Sequence, residues 1–453
     1  MTRGERTITL SEWATREVPD LELTEDDRRL AEELSTFKGG RLVIEELRGG
    51  TRIRSTSWIG VVQLCNLEIQ VVPKLAGTNL GVLEMIEQTS GLDALWRSSS
   101  VRDINVEGCN LYDLFALLLV EECERILRSG VLADYVEEED TLPVLRGRLL
   151  FDRQLRQRYG QLDKLICRYD EYRQDIMENQ ILAYALDHCG RRVRHPAIAR
   201  RAHQVGTIFR EVCDWTSLDV GRCWDDLTYH RLNEHYRPAH DLARLVVRGA
   251  GVTSLYGRGS TDCFAFLIDM NVLFERFVLR ILETLAQPLN LSVRYQQAES
   301  SVVWDALENR PYRRIVPDFV LTQNISGKIR LAVDAKYKLY DENKVHPGDI
   351  YQAFVYSYAY AESSELPRAI LIYPSESVGG SESLLQIRTV MRNPKAALSL
   401  VGIHIPTMLQ ELRRRDVGPA IAGLGRILED HVGRAGAPTS PSPARTFQTV
   451  ISA

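Results

Sequence analysis

Residues 317–338 read PDFVLTQNISGKIRLAVDAKYK. Two runs of β-favouring residues flank a polar turn at residues 324–327, a pattern that predicts an antiparallel strand pair. Asp318 then starts the first strand and Asp334 falls late in the second, so pairing brings both carboxylates to one end. Side chains two apart on a strand point the same way. Asp334 and Lys336 therefore share a face, and Val333, Ala335 and Tyr337 take the other. An aspartate inside a β-branched strand is costly unless it is paired or holds a metal.

Working outward, the order is a helix (FAFLIDMNVLFERFVLRILETLA), strands (LSVRYQQAES, RRIVPDFVLTQ, KIRLAVDAKYKLY), a helix (DIYQAFVYSYAYAE), a strand (RAILIYP), a last strand at 401–406 and a helix through Leu412. This predicts an α/β domain with a mixed central sheet over residues 256–430. Glu275 lies on the helix before the sheet, where it can add a carboxylate to a metal. Gln352 and Tyr356, four apart, share one face of the helix after it.

These residue types suit phosphodiester hydrolysis. Carboxylate oxygens of Asp318, Asp334 and Glu275 hold Mg²⁺, with Mn²⁺ as a substitute, and the ion stabilises phosphate charge and acidifies a bound water. Lys336 orients or activates that water. The bland alternative is a turn aspartate and a solvated Asp334–Lys336 pair.

The rest of the 453-residue chain is long enough for further domains, and its 44% apolar content is ordinary for a globular protein. Residues 41–75 (RLVIEELRGGTRIRSTSWIGVVQLCNLEIQVVPKL) alternate β-branched and polar residues, so residues 1–110 read as β-rich. Apolar residues at helical spacing from residue 111 predict a helical middle region over 111–255. It includes RGRLLFDRQLRQRYG and DEYRQDIMENQILAYALDHCGRRVRH, and ends in a Gly/Ser/Thr-rich boundary at 249–261. Residues 431–453 read as a disordered tail. The fold class is multi-domain α+β. The first residues lack an apolar leader and no stretch suits a membrane span, which places the chain in the cytoplasm.

A net charge of −5 does not announce a polyanion partner, so DNA contacts must use local basic surface. The eight cysteines contain no CxxC pair and no ligand-like grouping, which argues against zinc or a disulfide framework. Arg191, Arg192, Arg194, Arg200 and Arg201 form a basic stretch read as a solvated helix face. His230, His235 and His240 step off one helical face and make a poor metal set.

Together, WIGVVQLCNLEIQVVPKL (58–75), LRGRLLFDRQL (145–155), LFERFV (273–278) and the Asp318, Asp334, Lys336 set resemble the McrC family, the nuclease subunit of McrBC-type modification-dependent restriction systems. The resemblance implies a PD-(D/E)xK endonuclease with Asp318, Asp334 and Lys336 as its core, supported by Glu275, Gln352 and Tyr356. It also implies a partner, a McrB-like AAA+ GTPase ring into which the N-terminal domain inserts, and double-stranded, modified DNA as substrate. The chain has no GxxxxGK[ST] loop, its only Gly-Lys being Gly327-Lys328, so GTP is used by the partner. Self-association through the nuclease domains would allow both strands to be cut. Alternatives from other classes are a non-catalytic activator of a partner NTPase and a stand-alone RecB-like exonuclease.

Overall fold

The computed structural model describes residues 6–36, 40–90, 109–161, 163–248, 263–324, 330–341, 343–361, 366–414 and 417–433. The boundary loop, most of the 324–327 turn and the tail from residue 434 lie outside these. The chain forms two compact units, Met1–Leu273 and Phe274–Ala453.

In the first unit, the alternating segment forms strands as expected. Arg6–Ser11 (β1), Trp58–Leu64 (β5), Leu67–Val72 (β6) and Phe264–Asp269 (β10) make one sheet in the order β1-β6-β5-β10. Thr15–Pro19 (β2), Leu42–Leu47 (β3) and Gly50–Ser55 (β4) make a second. Every residue of β5 is buried. Gly60 has φ 137°, and a Cβ there would lie 2.0 Å from the Phe266 carbonyl oxygen, so only glycine lets β10 approach β5. Helices Glu25–Thr36 (α1) and Asn79–Ser90 (α2) accompany these sheets.

The middle segment carries the expected helices Leu111–Ser129 (α3), Met177–Arg192 (α5), Pro196–Val212 (α6) and Arg237–Arg248 (α8), with the shorter Phe151–Gln157 (α4) and Cys223–Asp226 (α7). Asn110 caps α3 by accepting from the Asp113 N–H at 2.9 Å. The helical reading of this region misses a small sheet, because Asp134–Leu142 (β7), Arg148–Leu149 (β8) and Leu165–Arg173 (β9) pair in the order β7-β9-β8. Charged side chains line these strands, and cross-strand pairs such as Arg168 Nε to Glu139 Oε1 at 3.0 Å help hold them together. A strand supported this way leaves no apolar alternation to read.

The basic stretch is largely paired. Arg194 meets Glu68 at 2.9 Å, Arg201 meets Glu124 at 2.9 Å and Arg191 meets Asp187 at 2.7 Å. His240 is a core residue bonded to the Tyr229 hydroxyl and the Glu178 carbonyl. Among the described residues no helix is long and apolar enough to cross a membrane.

FAFLID, read as the start of a helix, is instead β10, paired antiparallel with β5 from Phe264↔Gln63 to Asp269↔Trp58. Apolar residues run unbroken from it into Met270–Ala286 (α9), and Asp269 starts the helix by accepting from the Asn271 N–H at 2.9 Å. The division between the units falls in the first turn of α9, later than residue 256.

The second unit is built on a six-stranded mixed sheet. Its strands are Leu291–Tyr295 (β11), Phe319–Gln323 (β14), Arg330–Ala335 (β15), Arg368–Pro374 (β16), Ser381–Arg388 (β17) and Pro394–Ile403 (β18), in the order β11-β14-β15-β16-β18-β17. β15, β16 and β18 run parallel and the outer pairs antiparallel. Glu299–Asp305 (β12) and Arg310–Ile315 (β13) form a separate hairpin. Helix Pro347–Tyr360 (α10) supplies the crossover from β15 to the parallel β16. It packs on one face of the sheet, with Tyr356 against Ala332 and Ile315, and Ala353 against Leu371 and Leu398. On the other face Phe274 of α9 meets Tyr337, ring centroids 5.6 Å apart. Ile405–Arg413 (α11) and Pro419–Gly433 (α12) complete the unit.

Candidate active site

The register of the hairpin decides the site. Phe319 pairs with Val333, so one step further sets Asp318 against Asp334. Asp318 Oδ2 accepts from the Ala335 N–H at 2.8 Å, which fixes its carboxylate over the end of β15. Asp334 and Lys336 project from the α10 face, as the period of two requires. Lys336 Nζ lies 2.7 Å from Asp334 Oδ2 and 3.8 Å from Asp318 Oδ2. Its backbone N–H donates to the Ile372 carbonyl at 2.9 Å, prolonging the β15–β16 ladder.

Two carboxylates and one cation are thus gathered where water is scarce. Asp334 is only 2% exposed, and neither of its oxygens has a hydrogen-bond partner of good geometry. Burial, and then the charge of Asp334 beside it, push the Asp318 carboxyl up to about 8. Burial works against the Lys336 charge, but Asp334 and Asp318 outweigh it and raise its pKa. With Asp318 holding a proton, Lys336 balances the charge of Asp334; a Mg²⁺-type cation would displace that proton and be met by hard carboxylate oxygens, so the residues fit that ion.

The supporting residues behave unequally. Tyr356 donates to the Val316 carbonyl at 2.9 Å and accepts from Gln352 Nε2 at 2.8 Å. This pair therefore anchors the backbone two residues before Asp318. Glu275 accepts from Gln296 Nε2 at 2.8 Å. Among the described residues Glu275 does not join Asp318 and Asp334 in a set of three ligand atoms within 4.8 Å of one another; such a set is formed by Asp27, Cys65 and Cys263.

Sequence reasoning passed over two contributors. Gln296, with φ 47°, donates its N–H to the Asp318 carbonyl at 2.8 Å while its side chain holds Glu275, linking that carboxylate to the site's backbone. Asp349, in the first turn of α10, accepts from Lys338 Nζ at 2.6 Å and from the Tyr340 hydroxyl. Burial alone would raise its pKa, but Lys338 and Tyr340 hold it below the usual carboxylate value. The one available signal was Lys338, two residues beyond Lys336.

The site is thus a buried acid pair bridged by a lysine, set on a mixed sheet between two helices. The family described as McrBC 5-methylcytosine restriction system component matches residues 53–374, more than half of the chain. The chain belongs to that family. A chain of the refined half-complex from the tetradecameric assembly of Thermococcus gammatolerans McrB AAA+ hexamers with bound McrC shares its fold. The TM-score is 0.61 at 19% identity, covering 90% of this chain and 100% of that one. A chain of the cryo-EM structure of the Thermococcus gammatolerans McrBC complex matches with TM-score 0.47 and 22% identity, over 61% of this chain and 87% of that one. No curated protein matches in sequence.

Proposed function

We propose that the second unit is a Mg²⁺-dependent, PD-(D/E)xK-type DNA endonuclease that cuts when the chain is docked on a McrB-like AAA+ GTPase ring. The observation that carries this is the convergence of Asp318, Asp334 and Lys336, with both Asp334 oxygens buried and lacking well-formed hydrogen bonds. Asp318 and Asp334 would hold the ion, and Glu275 would reach it by giving up Gln296. A bound Mg²⁺ or Mn²⁺ supplies Lewis-acid stabilisation of the phosphate and a more acidic water. Lys336, whose pKa is raised, is suited to donating to a phosphate oxygen or orienting the attacking water, and not to removing a proton. Tyr356 and Gln352 keep the Val316–Asp318 backbone in place. Family membership supports the restriction setting, and the first unit is the proposed docking element.

The test is reconstitution with an AAA+ GTPase partner, GTP and Mg²⁺ on methylated and unmethylated closed circular DNA. We expect cleavage of the circle that needs all three components and depends on methylation. Cutting only from DNA ends would favour an exonuclease, and no cutting under any condition would favour a non-catalytic activator.

DNA needs a basic approach to the acids, and the β12–β13 hairpin leads straight into Val316 and Asp318. Arg313 and Arg314 are exposed and make no ion pair among the described residues, and Tyr312 beside them is 74% exposed. Arg314 stands four residues before Asp318, at most about 13 Å along an extended chain, within two phosphates of the cleaved bond. In a cleavage-dead background, Arg313→Ala and Arg314→Ala should each weaken duplex binding and lower the salt dependence of log K by about one unit. Fluorescence anisotropy over a salt series measures this, and an unchanged slope would remove the hairpin from the interface.

A further inference from the structure

The first unit contains a second group of metal-ligating side chains. Asp27 lies in the first turn of α1, where its Oδ2 accepts from the Thr24 N–H at 2.9 Å and the Thr24 hydroxyl at 2.8 Å. This reciprocal cap turns Oδ1 away from the helix. Oδ1 accepts from the Cys65 N–H at 2.9 Å and from Cys263 Sγ at 3.2 Å. Cys65 occupies the two-residue turn between β5 and β6. Cys263 immediately precedes β10, and the Phe264↔Gln63 register carried one step back sets it against Leu64, beside Cys65. The two sulfurs are 3.4 Å apart, although 198 residues separate them along the chain. This corrects the expectation that the cysteines have no ligand-like grouping, since the fold supplies what the spacing lacks.

We propose that Asp27 Oδ1, Cys65 Sγ and Cys263 Sγ form a binding site for a thiophilic divalent cation, Zn²⁺ by its ligand chemistry. Tetrahedral zinc with Zn–S near 2.3 Å and Zn–O near 2.1 Å places sulfurs about 3.8 Å apart and sulfur from oxygen about 3.6 Å apart. The observed 3.4 and 3.2 Å lie about 0.4 Å inside those edges, a widening that small side-chain rotations provide. Each thiol gives up its proton on binding, so Zn–S and Zn–O bonds replace the present S–H contacts. Asp27 is buried and both cysteines are half-buried, which leaves the fourth position to water or to the Thr24 hydroxyl, itself 3.3 Å from Cys65 Sγ. The mixed sulfur and oxygen donors select against Mg²⁺, so this site is chemically distinct from the acid pair. A bound ion would tie the α1 cap, the β5–β6 turn and the entry to β10 together.

The test uses the full-length, reduced, metal-stripped chain titrated with Co²⁺. We expect a thiolate-to-cobalt charge-transfer band with the visible bands of a tetrahedral ion, saturating at one Co²⁺ per chain and displaced by Zn²⁺. Protein purified without chelator should contain one Zn²⁺ by mass spectrometry. Cys65→Ser and Cys263→Ser should each abolish the charge-transfer spectrum or weaken Zn²⁺ binding at least tenfold. Asp27→Asn, which keeps the helix cap, should weaken it similarly. The wild-type cobalt titration needs no variant to fold. A wild-type protein that shows no thiolate–cobalt band, or whose Cys65 and Cys263 prove to be joined as a disulfide after aerobic purification, would overturn the site.

Discussion

Asp334→Asn should reduce DNA cleavage by at least about 100-fold while leaving the chain folded and still bound to its ring partner. The side chain sits near the end of a buried strand, 2% exposed, and asparagine has nearly the same shape. What the substitution removes is charge: the hard oxygen that suits a divalent cation and the anion paired with Lys336 at 2.7 Å. Lys336 also lies 3.8 Å from Asp318, which can take over as its anion, so one acid and one cation remain. The variant should therefore melt within a few degrees of the wild type, or above it. Cleavage, GTPase stimulation and thermal melting of the same preparation separate the outcomes. Wild-type cutting by folded Asp334→Asn protein would show that the acid pair is structural.

The acid pair was legible because a strand's period of two and a hairpin's symmetry are local rules. Asp334 and Lys336 could be assigned to one face, and Asp318 brought opposite Asp334, without knowing anything else about the fold. FAFLID was not legible as a strand, since its partner β5 lies some 200 residues away and an apolar run gives no period of its own. The β7-β9-β8 sheet escaped because Glu–Arg pairs, not apolar alternation, mark its faces. Gln296 contributes through a backbone N–H and an unusual φ, properties no residue letter displays. Cys65 and Cys263 show the same limit: metal motifs are recognised in sequence by short spacing, and here sheet register replaces it.

Lys336→Met tests the other half of the ion pair. Methionine keeps much of the side chain's length but leaves two buried carboxylates without their cation, so cleavage should fall at least about 100-fold. Stability should fall too, with a definite pH dependence. The Asp318 carboxyl already stands near 8, above its unfolded value of 3.8, so the folded chain retains a proton that the unfolded chain releases. A carboxyl shifted upward stabilises the fold below its unfolded pKa, and that contribution is lost as pH rises toward the folded value. Removing Lys336 widens the shift. In metal-free buffer the variant should track wild type from pH 5 to about pH 8 and fall behind only above that, by about 1–3 kcal/mol near pH 10, as urea denaturation would show. Adding Asp334→Asn to Lys336→Met removes one of the two unpaired charges, so the double variant should regain most of that stability and none of the cleavage. Equal losses of stability in the single and double variants would mean that the destabilisation comes from the missing lysine stem, and that the repulsion between Asp318 and Asp334 contributes little.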